Sequence, residues 1–331
     1  HFKIHTQYSI CEGAIKIDNL KDFCKSNKIK SIGISDTANL CGVLEFSEAI
    51  SKQGTQPIIG TQINFEYKNE KGLLTLIAKN EVGYKKLVEL SSRSFLENDN
   101  LSDPFCKIED LYSSNEDIIV MSGTINGLIG KLFNKSKFED IEKIFLNLKK
   151  FFNNNFYIEI QRHGDSNEKQ FELYNLNLSS KFNIPIIATH EVFYIDKNMH
   201  DAHEALICIG NKTYLNDVNR IKYSDNHYLM SDDEMKKLFY DLPEALENNY
   251  NLPLRCSFRP SFSKPILPNI SSADDGSADD KLINDSYNGL ISKFKTIFCE
   301  RDESPKNHKY YNLYKDRLEH ELKIINEMKY S

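Results

Sequence analysis

Residues 57–78, PIIGTQINFEYKNEKGLLTLIA, place two apolar runs, Pro57 to Phe65 and Leu73 to Ala78, on either side of the polar stretch Lys68 to Gly72. Runs of this length rich in Ile, Leu, Phe and Thr favour extended backbone, and a short polar turn between two of them lets the strands pair as a hairpin. On either side of this hairpin the spacing changes. Short apolar runs recur at Phe2 to His5, Ser31 to Ser35, Ile118 to Met121, Asn155 to Gln161 and Pro185 to Thr189, with helix-spaced sequence between most of them. Strands alternating with helices predict a largely parallel sheet covered by helices, and the hairpin makes it mixed. The expectation is an α/β fold, a distorted seven-stranded β/α barrel occupying the first two thirds of the chain.

The intervening helices carry start signals. Asp18 stands before Leu20, Phe23 and Cys24, and Asn39 before Leu40, Val43 and Leu44, with Gly54 as a stop. Phe138, Ile141, Phe145 and Leu148 form a further stripe, and Ser231 to Glu234 reads as a capping box ahead of Met235, Leu238 and Phe239. The stretch 259–280, RPSFSKPILPNISSADDGSADD, is rich in Pro, Ser, Asp and Gly and reads as a connector. Two helical segments follow, Lys281 to Glu300 and Tyr310 to Met328, the second with Tyr314, Leu318, Leu322 and Ile325 as its apolar stripe. The predicted division is therefore 1–258, a connector at 259–280, and a helical part at 281–331.

Of the 331 residues 40% are hydrophobic and 27% charged, and the apolar runs fall far short of a membrane span. A net charge of -6 argues against a segment that grips phosphates unaided. The seven cysteines, at 11, 24, 41, 106, 208, 256 and 299, contain no CxxC pair and follow no secretory leader, the pattern of reduced thiols in a cytoplasmic protein. The chain opens at His1 and stops at Ser331 just after a helical pattern, which reads as part of a longer polypeptide.

Loops at the ends of barrel strands converge on one mouth, so the residues leaving each strand are the candidate site. They include His5, Asp36, Gln62, Ser122-Gly123-Thr124, His163 and His190-Glu191. A single His or Asp at a strand end is commonly a hydrogen-bonded anchor; several from different strands have the chemistry to hold Zn²⁺ or Mn²⁺. His200 and His203, three apart, read as a solvated helix face, with chelation as the alternative. Walker, GxSxG and HExxH motifs do not occur.

HFKIHTQYSICEGAIKI at the start, SIGISDTANLCGVLEF at 31–46 and QPIIGTQINF at 56–65 resemble the opening of the PHP domain in bacterial DNA polymerase III alpha subunits. The resemblance continues through LLTLIAKNEVGYKKLVELSS, NFYIEIQRHG, IPIIATHEVFYI, DAHEALICIG and HYLMSDDEMKKLFYDLPEALENN, and the tail YYNLYKDRLEHELKIINEMKYS resembles the helix entering the polymerase palm. It implies a TIM-barrel-like PHP domain followed by the start of the palm region. The fully equipped PHP site in that family carries His-x-His, Asp-His, Glu, His, Cys, His and Asp-x-His at its strand ends. Matched position by position, this chain keeps His5, Asp36 and His163, has Glu191 for the usual Asp, and offers Lys3, Thr37, Gln62, Leu73, Thr124 and Phe193 elsewhere. The resemblance thus implies an eroded metal site in which Lys3, a cation, stands in for the ion and pairs with Asp36 and Glu191.

The resemblance also implies a function. The full-length protein is expected to be a DNA-directed DNA polymerase of the cytoplasm using Mg²⁺, primer-template and deoxynucleoside triphosphates, with its catalytic palm carboxylates beyond Ser331, so that this segment alone is expected to be inactive. The PHP domain is expected to brace the palm and dock a proofreading exonuclease subunit, while sliding clamp and clamp loader bind elsewhere. Two alternatives share the domain: a working metal-dependent phosphoesterase or 3′-5′ exonuclease, and a free-standing phosphatase of the histidinol-phosphatase kind, against which the palm-entry helix argues.

Overall fold

The computed structural model describes residues 1–98, 103–265, 277–298 and 304–331. It divides into two compact units, His1–Phe262 and Ser263–Ser331.

In the first unit the described strands are β1 (Lys3–Ile4), β2 (Ser31–Thr37), β3 (Gln56–Tyr67), β4 (Glu70–Ala78), β5 (Phe105–Lys107), β6 (Ile118–Met121), β7 (Phe156–Ile160), β8 (Ile186–Ala188) and β9 (Glu191–Val192). The sheet runs β2-β3-β4-β6-β7-β8, with β5 added along β3, while β1 and β9 form a separate parallel pair. All seven expected strands are present, and the sheet is mixed because β4 runs antiparallel to both β3 and β6. The hairpin is tighter than its polar stretch suggests. Tyr67 pairs with Glu70, leaving Lys68 and Asn69 as a two-residue turn, both with left-handed backbone (φ 47° and 66°), the geometry that suits a twisted hairpin.

The sheet curls into a distorted barrel, and β1 sits against its β2 edge. Gly33 N–H donates to His1 O (2.8 Å) and Ser35 Oγ to Phe2 O (2.7 Å). A side chain at Gly33 would come within 3.1 Å of the Phe2 Cα, so glycine permits this approach. The β8 edge is covered without a strand: on helix Pro243–Asn251, the amides of Asn248 and Asn249 donate to Ile186 O and Ala188 O. Those carbonyls would otherwise be unpaired.

Alternation along the strands divides the core. Ile58, Ile77, Ile119, Met121, Tyr157 and Ile187 pack with Phe2 inside the curl. Outside it, Ile141, Ile144, Phe145 and Leu148 of helix Phe138–Phe152 cover β6 and β7, and Leu20, Cys24, Phe46 and Ile50 cover Ile32 and Ile34. Each fully buried Leu, Ile or Phe contributes about 1.5–3 kcal/mol, which makes these faces the main source of stability.

Two expected caps differ. Helix Ile17–Asn27 starts before Asp18, which pairs with Lys21 instead. Asn39 closes a local turn by accepting from Cys41 N–H, and the helix begins only at Val43. The box at Ser231 forms as expected, Ser231 Oγ accepting from Glu234 N–H and Glu234 accepting from Ser231 N–H. In the second unit the helices are Ala278–Ile297, capped by Ser277, and Tyr311–Glu327, joined by ring contacts of Phe294 with His308, Tyr311 and Tyr314. Half of the connector, 266–276, lies outside the described residues. No helix among the described residues is long and apolar enough to cross a membrane.

Candidate functional site

The mouth is built around a buried lysine. Lys3 is fully enclosed, its Nζ 3.3 Å from Glu159 Oε1 and 3.6 Å from Glu191 Oε1. The expected partner Asp36 is not among these contacts. Asp36 falls on the strand face of Ile32 and Ile34, where Oδ1 accepts from Thr6 N–H (2.7 Å) and Ser9 Oγ (2.7 Å) and Oδ2 from Thr6 Oγ1 (2.8 Å). The two-residue period of β2 turned it away from the lysine, and it now anchors the loop after β1.

Glu159 takes that place. It projects inward from β7 with Tyr157, Oε2 accepting from Gly123 N–H (2.7 Å) and Oε1 from Thr189 Oγ1 (2.6 Å). Glu191 Oε1 lies 3.1 Å from His5 Nε2 and accepts from Gln62 Nε2 at 2.7 Å. Burial alone would pull the Lys3 ammonium down; Glu159 and then Glu191 outweigh it and hold it above its ordinary value. Burial opposes the Glu191 charge too, yet Lys3, His5 and Gln62 keep that carboxyl well below the usual range. His5 is lifted despite its burial, by Glu12 and Glu191.

A second layer consists of rings. His163 Nε2 accepts from Glu191 N–H (3.2 Å), and His227 Nδ1 donates to Glu191 O (3.0 Å). The two imidazoles stack at 4.0 Å, with His190 at 4.3 Å from His163. Desolvation, then repulsion from His227, takes His163 well below its ordinary value and His190 to about 3, and desolvation lowers His227 against the opposing pull of Glu191. Phe193 packs 4.6 Å from His5 and against His203, Tyr223 and His227. His203 is therefore no solvated helix residue. It is 1% exposed, with Nε2 on Glu12 O.

The remaining substituted positions divide. Thr37 Oγ1 reaches Glu12 (2.5 Å) and approaches His5 Nδ1 (3.4 Å). Thr124 instead accepts from Asn126 and Gly127 N–H to close its own loop, and Leu73 pairs with Asn64 in the hairpin. Of the four retained polar positions, His5, His163 and Glu191 thus share one network, which Asp36 joins through Ser9.

These donor atoms fit a metal cluster poorly. Several donor atoms are engaged, Glu191 Oε1 by Lys3, His5 and Gln62, Asp36 by three donors and His163 Nε2 by a peptide N–H, whereas His190 Nδ1 and Nε2 and His227 Nε2 are buried without a hydrogen-bond partner. The described residues contain no group of three His, Cys, Asp or Glu arranged to hold an ion. Glu159 and His227 are the important residues that strand-end reading missed. A lone charge inside the apolar run FYIEI was the available signal for Glu159; His227 comes from a distant loop that gave none.

Residues 1–163 match the PHP domain family model. The whole chain is 36% identical to DNA polymerase III subunit alpha of Rickettsia bellii, covering 28% of that protein, and 99% of it is 31% identical to that of Caulobacter vibrioides, covering 29%. The chain thus spans under a third of the length of these relatives. Among solved structures it resembles an amidohydrolase from Chromobacterium violaceum, with a TM-score of 0.40, 9% identity, and coverage of 58% of this chain and 86% of that one.

Proposed function

The chain belongs to the DNA polymerase III alpha-subunit family and carries its PHP domain, and on that premise we propose that this domain is a non-catalytic structural and docking module. The observation that carries this reading is the Lys3 ammonium lodged between Glu159 and Glu191. It supplies the positive charge that ions supply in the fully equipped site, and it does so covalently tethered. In this reading 1–258 is the PHP domain, 259–280 a connector and 281–331 the entry to the palm, while template-directed synthesis in the cytoplasm with Mg²⁺ resides in carboxylates outside this chain. The residues at the mouth then have no bond-breaking step to perform; they hold β1, β7 and β9 together.

A docking role is supported by the outer surface beside the mouth, where Ile209, Tyr214, Leu215, Val218 and Ile221 are all more than half exposed. The partner proposed is the proofreading exonuclease subunit; clamp and clamp loader are assigned to the rest of the polymerase. The rival reading, a metal-dependent phosphoesterase or 3′-5′ exonuclease, requires the carboxylate oxygens of Asp36 and Glu191 Oε1 and the Nε2 of His163, which are engaged by internal donors.

The test combines two assays on the 331-residue chain. Release of 3′-terminal nucleotides with Mn²⁺ or Zn²⁺ is expected to stay at the no-protein level, and hydrolysis lost in His163→Ala would overturn the reading. Co-elution with the exonuclease subunit of the same source is expected, and Leu215→Asp with Val218→Asp is expected to weaken it at least about tenfold, the range of a lost interface anchor.

A further inference from the structure

Residues 213–229 cross the barrel mouth as a segment with little regular structure, fastened at both ends and plugged in the middle. At the near end, Arg220 pairs with Glu204 of helix His200–Asn211, and the other Glu204 oxygen accepts from Tyr223 N–H at 3.1 Å. Both charged side chains are nearly enclosed. At the far end the segment lies along β9 and its continuation: Phe193 N–H donates to His227 O (2.9 Å) and Leu229 N–H to Tyr194 O (3.0 Å). Between these points Tyr223 and His227 project inward onto Phe193, and Asn226 Nδ2 donates to His163 O (3.1 Å). The segment therefore sits directly above His5, His163 and Glu191.

We infer that residues 213–229 form a latched lid, with the Glu204–Arg220 ion pair as its latch, which shuts the mouth against any ligand while leaving the barrel beneath it intact. Few of the segment's contacts belong to the sheet itself. The segment is held by the Glu204–Arg220 and Lys197–Asp225 ion pairs, by side-chain hydrogen bonds of Asn226, His227, His200 and Tyr194, and by a short run of backbone bonds, whereas β2 and β3 share a continuous ladder from Ser31–Gln56 to Thr37–Gln62. Segments fastened by side chains and loop contacts rather than by a ladder open at lower free energy than core strands, so the lid lifts before β2 and β3 separate. Lifting withdraws His227 from the stack and exposes His163 and His190 without separating Lys3 from Glu159, because Lys3, Glu159 and Glu191 lie on β1, β7 and β9. The lid goes beyond the scaffold reading and does not depend on it: a closed mouth is compatible with either an eroded or a working site beneath.

Two measurements on the 331-residue chain test it. Hydrogen exchange followed by peptide mapping is expected to show 213–229 exchanging at least about tenfold faster than β2 and β3, as a sub-global opening requires. Exchange of the segment in step with those strands would overturn the lid. Diethyl pyrocarbonate labelling is expected to spare His5, His163, His190 and His227 relative to His320, which is exposed. In Glu204→Gln and Arg220→Ala the four should label at least about tenfold faster while the thermal melt stays cooperative, and Arg220→Lys should restore protection. Mouth histidines as reactive as His320 in the unaltered chain, or latch variants that melt cooperatively yet label no faster, would contradict it. If both latch variants fail to fold, the exchange measurement on the unaltered chain decides.

Discussion

Lys3 is where the two possible fates of this mouth separate. Its ammonium is enclosed with two carboxylates, and removing one member of a buried ionic group leaves the others uncompensated. Lys3→Ala is expected to cost about 3–5 kcal/mol in urea unfolding, and Lys3→Met with Glu159→Gln to cost less than Lys3→Met alone, because the second change removes the stranded charge. A double variant no better than the single one would show that Glu159 is not the partner. The imidazoles give a pH signature. His163, His190, His203 and His227 are all pushed below their ordinary range by burial first, so the unfolded chain binds more protons than the folded one as pH falls below about 6.5. Their contribution is present above that pH and lost below it. His5 has the opposite sign, its share being lost as pH rises through its raised value. With four imidazoles acting in this direction and one against it, chemical denaturation at pH 6.5 and pH 5 should show stability falling by about 1.4 kcal/mol per pH unit for each fully effective group. A flat profile in that window would contradict the neutral stack.

Among the elements, seven strands were legible because each lies in an apolar run of sequence long enough to declare itself. β5 and β9 did not declare themselves, since no separate apolar run surrounds them and they are held by their neighbours β3 and β1. The site was half legible for a related reason. His5, His163 and Glu191 stand at strand ends where loops converge, whereas Glu159 lies within a strand and His227 and Tyr223 are brought in by a loop over thirty residues from the nearest of those strand ends. Asp36 stands at a strand end but on the other face of β2, a distinction that depends on register and not on residue type. The hairpin turn allows a clean check of the backbone reading. Asn69, at φ 66°, should accept Gly with little change in melting temperature, while Asn69→Val should cost about 1–2 kcal/mol through left-handed strain. Equal stability of the two variants would place the turn elsewhere.

At the scale of the molecule, a barrel that is held by its own lysine should need no ion to fold or to persist. Its mouth is filled by Phe193, Tyr223 and His227, and Glu191 Oε1 and His163 Nε2 are engaged by internal donors. Loss of a single supporting group can cost about 10–100-fold in metal affinity, and here Lys3, Gln62 and Phe193 stand where the fully equipped site is expected to have ligands. The deciding measurement is the metal content of the 331-residue chain, purified without a metal-affinity tag, incubated with excess Zn²⁺ or Mn²⁺, freed of unbound ion and analysed for bound metal per chain. Metal far below one ion per chain, with a melting temperature unmoved by chelator, is the predicted result; two or more ions retained per chain, with chelator lowering the melting temperature, would contradict the substitution of Lys3 for a metal cluster.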